Sequence, residues 1–240
     1  MTQVLGIDGC RAGWFAIANQ DGHWSYTLAP SIDALLGDHA EAERIFIDIP
    51  LGLADDQTRE CDQLARRLLR PYRHSSVFST PVRDAVYAQN YTQACEINAQ
   101  QTGRKITRQT WNICPKIREV DTWLRQHPGA RSRVYESHPE VAFYALNGER
   151  PLETRKKSSE GQKQRLALLA QTIGDAHRLF DQAVNHYPRA QLQLDDILDA
   201  MVLAVMAGCS ESEHFYLPQP VPVDRYGLAM RIVYARQSLT

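Results

Sequence analysis

The chain has 240 residues, of which 43% are hydrophobic and 23% are charged, and its formal net charge is −1. These values are typical of a globular protein with one large or two small domains, and they exclude a strong overall attraction to nucleic acid or membranes. The five cysteines include no Cys-x-x-Cys pair, which argues against a zinc ribbon and predicts reduced thiols in a cytoplasmic protein. The N-terminus has neither a basic segment nor an apolar stretch of signal length, and no apolar segment is long enough to cross a bilayer, so we expect no membrane association.

The first fifth of the chain predicts four strands and one short helix. The strands are predicted at residues 3–8, 14–18, 23–28 and 44–49. Asp21-Gly22 between the second and third strands is a strong hairpin signal. Ser31 is the expected N-cap of a helix that is closed by Gly37. The fourth strand is nearly all apolar, which predicts burial on both faces.

The remainder of the chain is predicted to be mainly helical, with one more strand. Helical segments are expected from Thr58 to before Pro71, at 83–127 with a break near Gly103, and at 138–146, 159–186 and 194–207, with a strand at 131–136. The order matches an α/β, ribonuclease H-like fold, in which helices flank a mixed five-stranded sheet and the first and fourth strands lie side by side at its centre. Residues from about 58 to 130 form a predicted helical insertion between strands four and five. Because no linker or repeat interrupts the pattern, we predict a single domain over residues 1–240.

Acidic residues follow three of the predicted strands. Asp8 ends the first strand, Asp48 ends the fourth, and Glu136 follows Val134-Tyr135 in the fifth. A carboxylate at the end of a buried strand costs desolvation energy unless a hydrogen bond or a cation compensates it. Asp196 and Asp199 are three positions apart on the last predicted helix and share one face. Together these acids predict a site for Mg²⁺ or Mn²⁺, with Asp8, Asp48, Asp196 and Asp199 as ligands.

Some of these acids also have a structural interpretation. The first acids of the last helix, Asp195 above all, are suited to capping and to the helix dipole. Capping explains Asp199 poorly, because an apolar run follows it directly. Asp48 could cap the loop before Pro50. Glu140 is interpreted as a cap near a helix start, and His138 as a partner of Glu136.

Several segments along the chain resemble a known family. They are Gly6-Ile7-Asp8-Gly9-Cys10-Arg11-Ala12-Gly13-Trp14, Ile47-Asp48-Ile49-Pro50-Leu51-Gly52-Leu53, Arg59-Glu60-Cys61-Asp62, Ser76-Val77-Phe78, Pro81-Val82-Arg83, Tyr135-Glu136-Ser137-His138-Pro139-Glu140 and Asp195-Asp196-Ile197-Leu198-Asp199-Ala200. With these segments the chain resembles the DUF429 family, which is described as predicted ribonuclease H-like nucleases. The resemblance covers nearly the whole chain and implies a metal-dependent nuclease with carboxylate ligands.

The last of these segments is also similar to the closing helix of RuvC-type resolvases. That similarity favours Asp196 and Asp199 over Asp195 as ligands and implies that Glu136 is the acid of the fifth strand. Typical ribonucleases H take one ligand from the first helix, and this sequence has no clear counterpart of it. The resemblance therefore implies a RuvC-like set of catalytic acids, made of Asp8, Asp48, Glu136, Asp196 and Asp199.

Basic residues suggest where a phosphorylated substrate would bind. Residues 104–118 contain five bases and no acid, and residues 150–165 contain six bases and two acids. Such segments suit a polyanion, although ordinary solvated helix faces have the same composition. The loop around 70–76 could hold phosphate oxygens, or its arginines could simply end a helix favourably. The predicted substrate-binding residues are Arg11, Arg70, Arg73, His74, Ser76, Lys116 and Lys156.

Three functions remain open from the sequence. The first is a metal-dependent nuclease that hydrolyses phosphodiester bonds of DNA or RNA. The second is an enzyme of the same fold that binds a nucleotide or another phosphorylated metabolite. The third is a non-catalytic binding protein whose acids serve structure. A homodimer is left open as well.

Overall fold

The computed structural model describes residues 2–236. Its centre is a five-stranded sheet in the order β3-β2-β1-β4-β5. The strands are β1 Gln3–Cys10, β2 Gly13–Gln20, β3 His23–Ala29, β4 Arg44–Ile47 and β5 Val134–Glu136. The predicted mixed α/β sheet is confirmed, and so is the prediction that the first and fourth strands are neighbours at its centre.

The first three strands form an antiparallel meander. Asp21 and Gly22 form the turn between β2 and β3, and both have a positive φ, of 49° and 90°. Positive φ at both turn residues matches the right-handed twist of the strands, as the Asp-Gly pair predicts. The hairpin is therefore formed where the sequence indicated it.

Strands β1, β4 and β5 run parallel, so their carboxyl ends meet at one edge of the sheet. Ile7 is paired with Ile47, and Ile47 is paired with Glu136. Beyond the last pair of β1 and β4, the backbone N–H of Asp48 donates to the carbonyl oxygen of Ile7 at 2.9 Å. This register puts Asp8 and Asp48 side by side at the ends of two neighbouring strands.

Helices pack on both faces of the sheet and make up the connection between β4 and β5. They are α1 Ile32–Asp38, α2 Glu60–Leu68, α3 Arg83–Val86, α4 Tyr91–Thr102, α5 Arg108–Gln126, α6 Pro139–Leu146, α7 Ser159–Leu169, α8 Ala176–His186 and α9 Leu194–Gly208. The predicted helical insertion is formed by α2 to α5, and the helical region at 159–186 is two helices. No helix of the described residues is long and apolar enough to cross a membrane.

The insertion is tied to the rest of the chain by a buried arginine. Arg83 at the start of α3 forms an ion pair with Asp121 of α5, with 2.8 Å between Nη1 and Oδ2. Its second terminal nitrogen pairs with Asp224, near the end of the chain. Because a buried charge is costly without partners, these two pairs hold α3, α5 and the C-terminal segment together.

Helix α9 crosses the central strands at a point where β1 has no side chain. A Cβ atom on Gly6 would lie 2.7 Å from the carbonyl carbon of Leu203, and closer still to backbone atoms of Ala200 and Ala204. Gly6 therefore allows the helix backbone to approach the strand directly. The close approach brings the first turns of α9 to the edge of the sheet where Asp8 lies.

A second, two-stranded sheet follows α9 and is absent from the predicted elements. It pairs β6 (His214–Leu217) with β7 (Ile232–Ala235) in antiparallel register. The hydroxyl of Ser137, just after β5, donates to the carbonyl oxygen of Val233 at 2.6 Å. Each strand has only four residues, which is too short for an alternating pattern to be recognised.

Candidate metal centre

Three carboxylates from three different elements meet at the carboxyl edge of the central sheet. One oxygen from each of Asp8, Asp48 and Asp199 lies within 4.8 Å of the other two. Asp8 belongs to β1, Asp48 follows β4, and Asp199 lies in the second turn of α9. Asp8 and Asp199 are buried, with 7% and 1% of their surfaces exposed. We call these three residues the carboxylate triad.

A lysine supplies a positive charge next to the triad. Nζ of Lys156 lies 2.6 Å from Oδ2 of Asp199 and 3.5 Å from Oδ2 of Asp195. Lys156 belongs to the connection between α6 and α7, more than 40 positions before Asp199 in the chain. Burial works against its charge, but Asp199 and Asp8 outweigh burial and hold the Lys156 pKa above its ordinary value. The lysine is therefore the internal counter-ion of the triad.

The triad is electrostatically strained without a stronger cation. Burial raises the pKa of Asp8 well above its ordinary value, and the neighbouring Asp48 and Asp199 raise it further. Burial and Asp199 likewise raise the pKa of Asp48, to about 7. Crowded buried carboxylates resist ionising together, and a bound cation relieves that resistance.

The chemistry of the triad suits a hard divalent cation. All three donors are carboxylate oxygens, the ligands that Mg²⁺ and Mn²⁺ prefer. Bonds of about 2.1 Å in octahedral geometry place neighbouring ligand oxygens roughly 3 Å apart. Small side-chain movements would bring oxygens within 4.8 Å of one another onto one ion. The donor set therefore fits such an ion, and the assignment of metal ligands remains a prediction.

The first acids of α9 are held by contacts of their own, and metal ligation by Asp196 remains a prediction. Asp196, predicted as a ligand, forms a capping box with Gln193, whose backbone N–H donates to Oδ2 of Asp196 at 2.9 Å. Asp195, predicted as a cap, faces the ammonium groups of Lys156 and Lys157, at 3.5 Å and 3.9 Å. Burial raises the pKa of Asp196 to about 6, while its hydrogen bond from Gln193 opposes the rise. Asp196 lies close enough to the triad to raise the pKa of Asp8.

Glu136 lies in a separate buried group. Its Oε1 is 2.6 Å from Nη2 of Arg59, and its Oε2 accepts from the backbone N–H of Leu51 at 2.7 Å. The same guanidinium lies 3.2 Å from Asp62. Both carboxylate oxygens of Glu136 thus have partners outside the triad. Cys61, Asp62 and Glu136 have the spacing of a metal site, but Arg59 already supplies the positive charge there.

Sequence reasoning gave Glu140 no role at the site, yet it lies near the triad. Its Oε1 is 2.7 Å from the buried Arg165, while its Oε2 is buried and has no hydrogen-bond partner. Glu140 raises the pKa of Asp48, so the two carboxylates are near each other. The cap of this helix is not Glu140, as predicted, but His138, whose Nδ1 accepts from the backbone N–H of Glu140 at 3.2 Å. The only signal in the sequence was the His138-Pro139-Glu140 segment itself.

His138 caps α6 through Nδ1 and lines the same small cavity as Asp48. Burial lowers the pKa of His138, and Lys156 lowers it further against the opposing effects of Glu140 and Asp199. The ring lies beside the triad, and its lowered pKa favours the neutral form.

The predicted substrate-binding residues are distributed over several surfaces. Arg11 is exposed in the turn between β1 and β2. Lys116 of α5 donates to the carbonyl oxygen of Gly13 at 2.6 Å and lies over the ring of Trp14. Asp8 and Asp196 act on its pKa, which burial lowers, so Lys116 lies near the triad. Lys156 lies in the site itself.

The loop around residues 70–76 makes mainly local contacts. Arg70 and Ser76 are exposed. Nδ1 of His74 is 3.0 Å from the carbonyl oxygen of Pro71, and Arg73 donates to the carbonyl oxygen of Glu153 at 3.5 Å. The loop thus has cations near its surface, and substrate binding by these residues remains a prediction.

None of the five cysteines, all of which lie within residues 2–236, forms a disulfide. Four of them are buried, and none belongs to the triad. Burial raises the pKa of Cys61 and Cys114, the second to about 11. Protonated, buried thiols of this kind serve packing rather than chemistry.

Comparison with known proteins gives a family but no activity. A search of curated proteins and a search of solved structures returned no match. The model of the family described as "Protein of unknown function (DUF429)" matches residues 6–222. The matched region contains all three triad residues, Lys156, and both partners of the Arg59–Glu136 pair. The chain therefore belongs to the DUF429 family.

Proposed function

We propose that the protein is a metal-dependent nuclease that hydrolyses phosphodiester bonds of DNA or RNA. The observation that carries the proposal is the meeting of Asp8, Asp48 and Asp199 from two strand ends and a helix. Such a buried group of acids is expensive to maintain for stability alone. Carboxylates that hold divalent ions beside a phosphodiester are the usual means of hydrolysing it.

In this proposal, each residue of the site has a separate role in binding the metal or the substrate. Asp8, Asp48 and Asp199 would hold Mg²⁺ or Mn²⁺, and binding of the ion would release protons from Asp8 and Asp48, whose pKa values are raised. The bound ion supplies Lewis acidity to the phosphodiester and to the attacking water. Lys156, displaced from Asp199, is close enough to contact a phosphate oxygen. Glu140 and Asp196 lie around the triad and add negative charge that favours a second ion.

The proposal is tested with purified protein and labelled single-stranded and double-stranded DNA and RNA. Cleavage is expected with Mn²⁺ or Mg²⁺ and none with EDTA. Asp8→Asn should abolish cleavage and weaken Mn²⁺ binding in calorimetry at least tenfold. The matched control is Asp175→Asn, which changes an exposed acid at the start of α8. Wild-type protein that neither binds Mn²⁺ at millimolar concentration nor cleaves any substrate would contradict the proposal.

A second candidate is an enzyme that acts on a nucleotide or another phosphorylated metabolite. It is favoured by two polar cavities near the site, of about 280 and 330 Å³, a size close to the lower end of the range of small-ligand pockets. The same triad would then act on a small phosphoester. Micromolar binding of a mononucleotide without measurable binding of any oligonucleotide would favour this candidate over the nuclease.

A further inference from the structure

A polar cleft lies between α2 and the connection from α4 to α5. Two cavities of about 280 and 330 Å³ form it. They share five lining residues, Thr58, Arg66, Ser79, Thr102 and Arg104. We call this the basic cleft. Of the residues predicted to bind substrate, it includes Ser76 alone.

Three cations face the basic cleft without acidic partners. They are Arg66, Arg104 and Lys105, and no acidic residue lines either cavity. Within residues 2–236, none of the three has a carboxylate oxygen within 4.0 Å. The three fully buried arginines of the described residues, Arg59, Arg83 and Arg165, each have one. Unpaired cations that converge on a cleft attract a polyanion and are the usual means of binding phosphate.

A buried hydroxyl in the same wall has no partner. Thr80 lines the cleft and is only 3% exposed, and its Oγ1 is buried without a hydrogen bond. Its backbone N–H is held by Oδ2 of Asp62 at 2.8 Å, so the residue is fixed in place. A buried polar atom without a partner costs about 1–3 kcal/mol. A ligand oxygen in the cleft would satisfy it.

The wall that carries Arg104 is held rigidly. Asn98 of α4 is buried and donates from Nδ2 to the carbonyl oxygen of Arg104 at 2.7 Å. Its Oδ1 accepts from the backbone N–H of Val82 at 2.9 Å. On the opposite side, Arg66 donates to the carbonyl oxygen of Val77. The backbone at Arg104 and the side chain of Arg66 are therefore anchored before any ligand arrives, which lowers the entropy cost of binding.

The cleft adjoins the candidate metal centre. Phe78 and Thr80 line the basic cleft and also line a small cavity of about 20 Å³. The walls of that small cavity include Asp48 and His138. Phe78 thus lies between the cations and the triad, with a ring on which a base can stack.

From these observations we propose that the basic cleft binds the phosphodiester backbone of a single nucleic-acid strand and leads it past Phe78 to the carboxylate triad. The inference rests on the proposed nuclease function and names the form of its substrate. The cavities, at about 280 and 330 Å³, accommodate one or two nucleotides and are too small for a duplex. Arg66, Arg104 and Lys105 bind phosphates, and the hydroxyl of Thr80 donates to one of them.

Binding is measured by fluorescence anisotropy in EDTA, where no cleavage occurs. The probes are labelled eight-nucleotide oligothymidylate, oligouridylate and a duplex of the same length. Arg104→Ala/Lys105→Ala should weaken single-strand binding at least tenfold. It should also reduce the slope of log affinity against log salt by about 1.4, since each lost phosphate contact on a single strand contributes about 0.7. The matched control, Arg150→Ala/Arg178→Ala, removes two exposed cations outside the cleft and should bind like wild type.

Thr80→Val tests the unpartnered hydroxyl at nearly constant volume. The variant should unfold at the same or a higher temperature than wild type, because it removes an unsatisfied polar atom. It should nevertheless bind the single strand at least threefold more weakly. Unchanged binding in both the Thr80 variant and the double alanine variant would overturn the inference. Equal or tighter binding of the duplex, or equally tight binding of a mononucleotide, would overturn it as well.

The proposal for the basic cleft and the proposal for the carboxylate triad can be contradicted independently. Asp8→Asn should lose cleavage while it keeps single-strand affinity in EDTA within threefold. If the cleft variants bind normally while cleavage still depends on Asp8, the inference is wrong and the nuclease proposal stands. If the cleft variants lose binding but Asp8→Asn still cleaves, the assigned catalytic site is wrong and the binding cleft stands.

Discussion

Nζ of Lys156 donates to Oδ2 of Asp199 at 2.6 Å and so compensates the most deeply buried carboxylate of the triad. The lysine is itself 37% exposed at its side chain, so it can move aside. A divalent cation that binds Asp199 must compete with this ammonium group. The protein without metal is therefore stabilised by the same residue that opposes metal binding.

Lys156→Met should separate these two effects. Without metal, the triad loses its counter-charge, and the free energy of unfolding at pH 7.5 should fall by about 1–3 kcal/mol. Mn²⁺ should bind more tightly than to wild type and raise the melting temperature by a larger amount. Calorimetry and thermal melting with EDTA or Mn²⁺ measure both. Lys157→Met is the control, because Lys157 is 76% exposed and 3.9 Å from Asp195; equal behaviour of the two variants would contradict the prediction.

Gly6→Ala should disrupt the packing of α9 on β1. A methyl group there would overlap backbone atoms of α9, which cannot move aside as a side chain can. We expect a loss of at least about 3 kcal/mol, or failure to fold. Gly37→Ala in α1 is the matched control, because nothing lies within 4 Å of its added Cβ. It should stabilise the protein by up to about 1 kcal/mol, as measured by urea unfolding, and similar stability of the two variants would refute the close approach.

Stability without metal should fall as the pH rises from 5.5 to 8. The folded protein holds the pKa of Asp48 at about 7, above its ordinary 3.8, so between these values the folded state binds more protons than the unfolded state. The contribution is present below pH 4 and is lost as the pH passes 7. The raised pKa of Asp8 acts in the same direction.

Asp48→Asn should remove part of this pH dependence. In EDTA, the decrease in unfolding free energy between pH 5.5 and pH 8 should become smaller by on the order of 1 kcal/mol. Saturating Mn²⁺ should abolish the decrease in wild type only. Asp175→Asn serves as the control and should titrate like wild type. Wild-type stability that rises with pH in EDTA would contradict the raised pKa values.

Glu136→Gln distinguishes a structural acid from a metal ligand. The substitution leaves the buried Arg59 with Asp62 as its remaining carboxylate partner, so stability should fall by about 3 kcal/mol. Mn²⁺ affinity should stay within threefold of wild type in calorimetry at a temperature where the variant is folded. Glu60→Gln, an exposed acid of α2, is the control for the loss of one negative charge. A Glu136 variant that keeps its stability but loses Mn²⁺ binding would contradict this prediction and show that Glu136 is a metal ligand.

The order of the elements was accessible from the sequence because each depends on local signals. Asp21-Gly22 sets its turn by backbone preference alone, and Ser31 caps α1 by accepting from the N–H of Ala34. The fold class predicted that β1 and β4 lie side by side. This pairing explains why Asp8 and Asp48, at the ends of these strands, lie close together. Element ends were less accurate: the strand predicted at 44–49 ends at Ile47, because the bend before Pro50 takes the chain out of the sheet.

Side-chain roles at helix starts were the least predictable. Asp195 and Asp196 are adjacent and chemically identical, yet Asp196 caps α9 and Asp195 faces Lys156. At α6, His138 is the cap, and Glu140 pairs with Arg165. Which of two neighbouring residues caps a helix depends on the orientation of the first turn of the helix. Tertiary packing sets that orientation.

By itself, the sequence determined which residues could form a buried acidic site, because apolar strands that end in aspartate and a glycine at position 6 are local features. Only the tertiary structure decided which acids share that site and which cation compensates each of them. Glu136 is paired with Arg59, 77 positions away, and Asp199 with Lys156. The free energy of a buried carboxylate depends on the charges within a few ångströms, and folding brings those charges from distant parts of the chain.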